Sequence, residues 1–226
     1  MITENLKYLE DTIQKKCIEI NRNREDITVI AVSKNNPFNA IIEANNYGCF
    51  DFGENKAQEL RDKAELLIEK NINWHFIGHL QTNKVKYVIK HAKFIHSVES
   101  FDLADEIDKR ANIINKIQSV FIECNISNEE SKFGLQDKEK IFSLANYIKS
   151  KPNLSLRGLM TMAPYTDDEI VIRSTFRGLK KVYDELNFSG FALTELSMGM
   201  TNDFLIALEE GATMLRIGTA IFGDRI

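Results

Sequence analysis

The chain is poor in cysteine and proline, has no long apolar run, and carries no strong charge of either sign. Each shortage excludes something. Its 226 residues include three cysteines, Cys17, Cys49 and Cys124. An odd count with no CxxC spacing argues against a disulfide framework and against a zinc finger. The three thiols therefore read as reduced, as in a cytoplasmic protein, with Cys124 in "VFIECNI" as a core thiol. Three prolines leave little to interrupt regular elements or to build a linker. The 33 acidic and 29 basic side chains nearly cancel, to a formal net charge of −4, so the basic footprint of a nucleic-acid binder is missing. The scattered lysines read as solvated helix faces. No apolar run approaches the roughly 20 residues that span a bilayer. The start, "MITENLKYLEDTIQKK", has acids where a secretory signal has an apolar core. The four histidines stand at no spacing that suits a metal.

What is present is a regular alternation. Leu6, Leu9, Ile13, Cys17 and Ile20 recur at helical spacing, which predicts an amphipathic helix over 3–22. Ile27 to Ser33 reads as a buried strand. Asn36 and Pro37 then open a helix as cap and first residue, and Gly48 closes it. Further strands are expected at 49–53, 74–78, 94–98, 117–126, 154–163, 192–199 and 213–218, with a helix or helical turn after each. Ser100 is expected to cap one of these helices and Asn83 another. Eight βα units in one undivided stretch, 1–226, favour a closed (β/α)8 TIM barrel over an open sheet. The length lies near the lower limit for that barrel, so the last unit is expected to be truncated, with the amino-terminal helix covering the gap.

In such a barrel the strands' carboxyl ends carry the chemistry. Those ends hold Ser33 and Lys34; Glu54 and Asn55; His75, Gly78 and His79; Ser97 and Glu99; Asn125; Met160 and Met162; Ser197, Met198 and Gly199; and Arg216, Gly218 and Thr219. The last two groups, "LSMGM" and "RIGTAIFG", supply hydroxyls, glycines and a helical turn where barrels often bind phosphate. Lys34 ends an apolar strand. Either its stem snorkels, or a dry barrel mouth keeps its amine unprotonated for attack on a carbonyl. A reactive lysine beside a phosphate cradle implies a phosphorylated carbonyl ligand, which is either pyridoxal phosphate or the sugar phosphate of an aldolase. Arg216 stays protonated. It suits either a pyridine nitrogen kept free of its proton or a substrate phosphate. Other residues are expected to do simpler work: His75 as a core histidine bonded to backbone, Lys132 as a solvated loop lysine, Met160 and Met162 as packing at the barrel top.

The motifs "AVSK", "FGENKAQEL", "WHFIGHLQTNK", "HSVES", "SKFGL", "RGLMTMAP", "LSMGMTNDF" and "TMLRIGTAIFG" run in order from residue 31 to 223. Together they resemble the YggS/PROSC family of pyridoxal-phosphate-binding, or PLP homeostasis, proteins. The resemblance implies a fold-type III barrel like the amino-terminal domain of alanine racemase. It implies that Lys34 holds pyridoxal 5′-phosphate as a Schiff base, that Ser197, Met198, Gly199, Gly218 and Thr219 bind its phosphate, that Arg216 faces the pyridine nitrogen and that Asn55 lies near the ring substituents. It further implies a monomer that buffers the cofactor and delivers it to PLP-dependent apo-enzymes without robust turnover. A racemase of this fold uses a second acid/base from another domain. The chain stops at Ile226, and Tyr47, Tyr87 and Tyr165 stand where that role is hard to justify.

Overall fold

Short strands rich in β-branched and aromatic residues, each followed by a helix too far along the chain for a hairpin, leave parallel pairing through crossovers as the economical solution. The computed structural model, which describes residues 1–127, 129 and 133–223, takes that solution to closure. Eight parallel strands pair in sequence order and the eighth pairs back on the first. They are β1 (Thr28–Val32), β2 (Asp51–Glu54), β3 (Asn73–Phe76), β4 (Ala92–Val98), β5 (Gln118–Glu123), β6 (Leu154–Met160), β7 (Glu195–Ser197) and β8 (Met214–Ile217). Around them run α1 (Ile2–Glu19), α2 (Phe38–Tyr47), α3 (Ala57–Leu66), α4 (Val85–Val88), α5 (Phe101–Ile113), α6 (Lys138–Lys149), α7 (Glu169–Phe188), α8 (Phe204–Glu209) and α9 (Thr219–Phe222).

The helices bury stripes at the expected spacing. α6 turns Ile141, Leu144, Ala145 and Ile148 inward, and each fully buried aliphatic side chain of this kind contributes about 1.5–3 kcal/mol. Ser100 caps α5 as expected, its Oγ accepting from the Leu103 amide at 3.2 Å. Gly48 ends α2 with φ +117°, a left-handed conformation that glycine adopts without steric cost. Two capping expectations are corrected. Pro37, not Asn36, is the N-cap of α2, because its ψ of 158° is extended. Asn83 lies inside a 3-10 turn, Thr82–Lys84, that leads into α4 with Gln81 before it.

The last βα unit is indeed short, and α1 packs beside it. Asn5 Nδ2 donates to the Ile221 carbonyl at 3.0 Å, Arg22 Nη1 to the Leu208 carbonyl at 2.8 Å, and Lys16 pairs with Glu209. β7 is shorter than expected because the Leu193 carbonyl is tied to α7 by Tyr183 and Asn187 rather than to a neighbouring strand. The expectation for Lys132 lies outside the described residues.

The barrel interior is unusual in its balance. Ile30, Phe121, Met160 and Met214, with Phe94 and Met162 against them, make a small apolar cluster. Beside it His75, His96, Ser197, Glu123 and Arg216 are all buried. Met160 is thus interior packing. Among the described residues, no helix is long and apolar enough to cross a membrane and no His, Cys, Asp and Glu cluster could hold a metal ion.

Candidate functional site

Lys34 follows β1 at the mouth of the barrel, and the backbone on both sides of it is held. Ser33 before it is fully buried. Its hydroxyl donates to Glu54 Oε1 at 2.6 Å, and its carbonyl accepts from Lys63 Nζ at 2.7 Å. Asn35 after it takes a left-handed φ of 61°, which asparagine tolerates better than most residues, and its amide donates to Glu59 Oε1 at 2.7 Å. Lys63 Nζ ties the two halves together, donating to Glu54 Oε1 and to Glu59 Oε1, each at 2.8 Å. Burial pushes the Glu54 carboxyl up against the pull of Lys63. Glu59 is also partly desolvated, but Lys63 and the Asn35 amide hold it below the ordinary carboxylate range. Lys63, read from sequence as one more solvated helix lysine, is 4% exposed. Lys116 is similar: it donates to the carbonyls of Ile89 and Ala92 at 2.8 and 2.6 Å, and burial lowers its amine to about 8.

A second set of polar side chains crosses the barrel interior. Asp51 Oδ1 meets His75 Nε2 at 2.9 Å, His75 Nδ1 meets His96 Nε2 at 2.9 Å, and His96 Nδ1 meets Ser197 Oγ at 3.0 Å. Arg216 Nη1 donates to Ser197 Oγ at 2.7 Å and Nη2 to the Thr161 carbonyl at 2.8 Å. His75 is therefore bonded to side chains rather than to backbone, and it also stacks on Phe94 with ring centroids 4.8 Å apart. His96, passed over in the apolar-looking "FIHSV", stacks on Phe121 at 4.2 Å. Burial lowers the pKa of both imidazoles. Asp51 opposes this for His75, while His75 and Arg216 add to it for His96. Arg216 is lowered to about 10 by burial, with Asp203 and Glu123 pulling the other way, so it remains a cation at neutral pH.

These two sets meet at a cavity of about 540 Å³, inside the range of small-molecule sites. Lys34, Asn55, Arg216, Gly218 and Thr219 all line it. Gly78 lets the ends of β2 and β3 close on each other there, since a Cβ at that position would fall 2.3 Å from the Asn55 carbonyl oxygen. The other three expected residues sit elsewhere. Ser197 Oγ is committed to Arg216 and His96. Met198 packs into the outer apolar layer, and its amide donates to the Met214 carbonyl at 3.1 Å. Gly199 makes the turn instead: its φ is +92°, and a Cβ would come 2.5 Å from that of Ala207. The loop after β7 reaches the cavity one step later, through Met200, Thr201, Asn202 and Asp203. Thr201 Oγ1 and Thr219 Oγ1 lie 3.1 Å apart across the two loops. No local pattern in the sequence could show this offset, which depends on where β7 ends.

The cavity also holds Glu123, which the sequence reading did not select. Glu123 closes β5 and is buried. Its burial, with Glu99 nearby, raises the carboxyl to about 7 against the pull of Arg216. His79 pairs with Glu99 at 3.0 Å and stacks on Phe133 at 4.0 Å. Asn55 Oδ1 and Glu123 Oε2 are buried with no hydrogen-bond partner among the described residues. Buried polar atoms are rarely left so, and both are atoms that a polar ligand would satisfy. The Lys34 amine and the Arg216 guanidinium, two threonine hydroxyls at the rim and the orphaned Asn55 amide oxygen as an acceptor form a polar set that suits a small aromatic or carbonyl compound bearing an acidic ester.

The comparisons with known proteins agree with that chemistry. The alanine racemase N-terminal domain family matches residues 10–226. A pyridoxal phosphate homeostasis protein of Aquifex aeolicus is 43% identical over 223 residues, covering 98% of this chain and 97% of that protein. The structure of PipY from Synechococcus elongatus, solved with PLP bound, superposes with a TM-score of 0.87 at 31% identity, covering 99% of this chain and 100% of that one. An alanine racemase of Clostridium difficile, at 16% identity and a TM-score of 0.73 over 95% of this chain and 57% of its own, shares the barrel alone. On the family match and the near full-length identity, the chain belongs to the pyridoxal phosphate homeostasis proteins, a branch of the alanine racemase N-terminal domain family.

Proposed function

We propose that this protein binds pyridoxal 5′-phosphate covalently at Lys34, buffers its concentration in the cytoplasm and passes it to apo-enzymes that depend on it, acting as a monomer and without robust turnover of its own. One observation carries the reading: Lys34, Asn55, Arg216, Gly218 and Thr219, far apart in sequence, line one cavity. When bound, the cofactor supplies an aldehyde that condenses with amines and a ring that can withdraw electrons.

The residues of the chain divide the work. Lys34 Nζ would hold the cofactor through its aldehyde. Ser33 and Asn35, pinned by the Glu54, Lys63 and Glu59 set, fix where that amine emerges. Thr201, Gly218 and Thr219 receive the phosphate ester. Arg216, held by Ser197 and the Thr161 carbonyl, would set a cation at the cofactor ring, where it would disfavour a proton on the ring nitrogen, weaken the ring as an electron sink and disfavour amino-acid chemistry. Of the six tyrosines, Tyr165 lines the cavity, but it is 95% exposed, and an acid/base must be held at its proton. Tyr47 lies exposed on α2, and Tyr87 packs under Arg61.

The test is an absorbance spectrum of the purified protein. A Schiff-base band that borohydride removes, mapped to the peptide containing Lys34 and missing from Lys34→Ala, is the expected result. A colourless protein that takes up no pyridoxal 5′-phosphate overturns the reading. Racemisation of L-amino acids at about 1 s⁻¹ or faster would make the protein an enzyme instead.

A further inference from the structure

Glu123 is a buried acid at the cavity that the functional reading leaves without work; Asp203, also buried there, accepts from the Met200 amide. It stands at the end of β5, 4% exposed, among the cavity-lining residues, with Oε2 unpartnered. The charged and titratable groups facing it among the described residues are few. Arg216 lies on β8 and Glu99 just beyond β4, with His79 paired to Glu99. Lys34 and Asp203 share the cavity. β6, on the other side of β5, presents Met160 in register with Glu123 and no ionisable group at that level. A carboxyl so placed cannot change charge without changing the field that any anion in the cavity feels.

We propose that Glu123 sets how firmly the cavity retains its anionic ligand: protonated, it leaves the field of Lys34 and Arg216 intact, and ionised, it cancels part of that field and loosens the ligand. The inference rests on the reading of the cavity as a pyridoxal 5′-phosphate site and adds to it a means of release. The direction follows from linkage. A dianionic ligand favours the neutral carboxyl, so binding raises the pKa of Glu123, and affinity falls as pH rises through the value of the free protein, about 7. Burial and Glu99 hold that value near neutrality, where a modest change in local field shifts the balance.

The experiment compares retention of pyridoxal 5′-phosphate by the full-length wild type and by Glu123→Gln, a neutral copy of the protonated side chain, using equilibrium dialysis between about pH 5.5 and pH 8.5. Titration of the free ligand is common to both proteins and cancels in the ratio of dissociation constants. The expected ratio is near one at the acid end and rises so that the wild type binds about tenfold more weakly at the alkaline end, one pKa unit of coupling being one decade. Glu99→Gln, which removes the neighbouring charge that raises Glu123, should move the wild-type loss to lower pH. An infrared difference spectrum of wild type minus Glu123→Gln, without cofactor, should show a protonated carboxyl band that disappears near neutrality. A ratio that stays flat with pH, or equal loss by Glu123→Gln throughout, overturns the role of Glu123 while leaving the cofactor site standing. Failure of both proteins to bind at about pH 5.5 overturns the cofactor reading and this inference with it.

Discussion

Two buried polar sets support the same mouth by opposite means. The one under Lys34, made of Ser33, Glu54, Glu59 and Lys63, is charged: an ammonium with no access to water is met by two carboxylates and a carbonyl at 2.7–2.8 Å. The one under Arg216, made of Asp51, His75, His96 and Ser197, is neutral through most of its length, because burial lowers the pKa of both imidazoles. A charged set fixes position strongly but fails badly when one member is removed, since the partner is left buried and unpaired. A neutral row of hydrogen bonds costs less to lose but depends on tautomers, each imidazole donating at one nitrogen and accepting at the other. The difference matches the tasks: Lys34 needs its backbone held, whereas Arg216 needs its planar guanidinium aimed.

Breaking the charged set should have the largest effect. Lys63→Met leaves Glu54 buried without its cation, the Ser33 carbonyl keeping only the Asn36 amide at 2.9 Å, and should cost about 3–5 kcal/mol in urea denaturation. The double variant Lys63→Met, Glu54→Leu should recover more than half of that loss, because a buried ion pair can be replaced by apolar residues more cheaply than it can be halved. No recovery would mean that the hydrogen bonds to Ser33, rather than the charges, carry the stability.

The neutral set should respond less and in a pH-dependent way. His96→Phe strands His75 Nδ1 and should cost about 1–3 kcal/mol at neutral pH. Both histidines have folded pKa values below the unfolded value of about 6.5, so the unfolded state binds more protons in acid. The stability that neutrality lends is complete above about pH 6.5 and is lost as pH falls toward the folded values, by up to about 1.4 kcal/mol per pH unit for each histidine. Denaturation midpoints of the wild type should therefore drop below about pH 6.5, and His96→Phe should flatten that slope. An unchanged slope would place protonated imidazoles in the fold. Smallest of all, Glu59→Gln should cost about 0.5–1 kcal/mol, because Glu59 is half-buried and Lys63 keeps Glu54; a larger loss would shift the anchor of Asn35 from the backbone to that carboxylate.

Much of the barrel was legible because the order of strands and helices follows from local periodicity. Ser100 and Gly48 fell where capping chemistry requires. Five of the eight expected binding residues line the cavity, since a strand end names the residues that reach the barrel mouth. What the sequence hid shares a cause. Ser197 and Met198 were chosen by motif; β7 stops at Ser197, and the loop after it adds Met200 to Asp203 to the cavity lining. Lys63 looked solvated because one helix cannot show that its lysine points under the next strand end. His96 was hidden in an apolar run because a buried imidazole is apolar on its faces and polar only at its two nitrogens.

The residue pattern by itself determined the order of strands and helices and the position of Lys34 at a strand end, because each depends on neighbours within a few residues along the chain. Only the tertiary structure decided which polar groups pair across the barrel, which are left unpartnered at the cavity, and that Glu123 titrates near neutrality. Those properties depend on desolvation and on through-space charge, and both are set by residues tens of positions away that only closure of the barrel brings together.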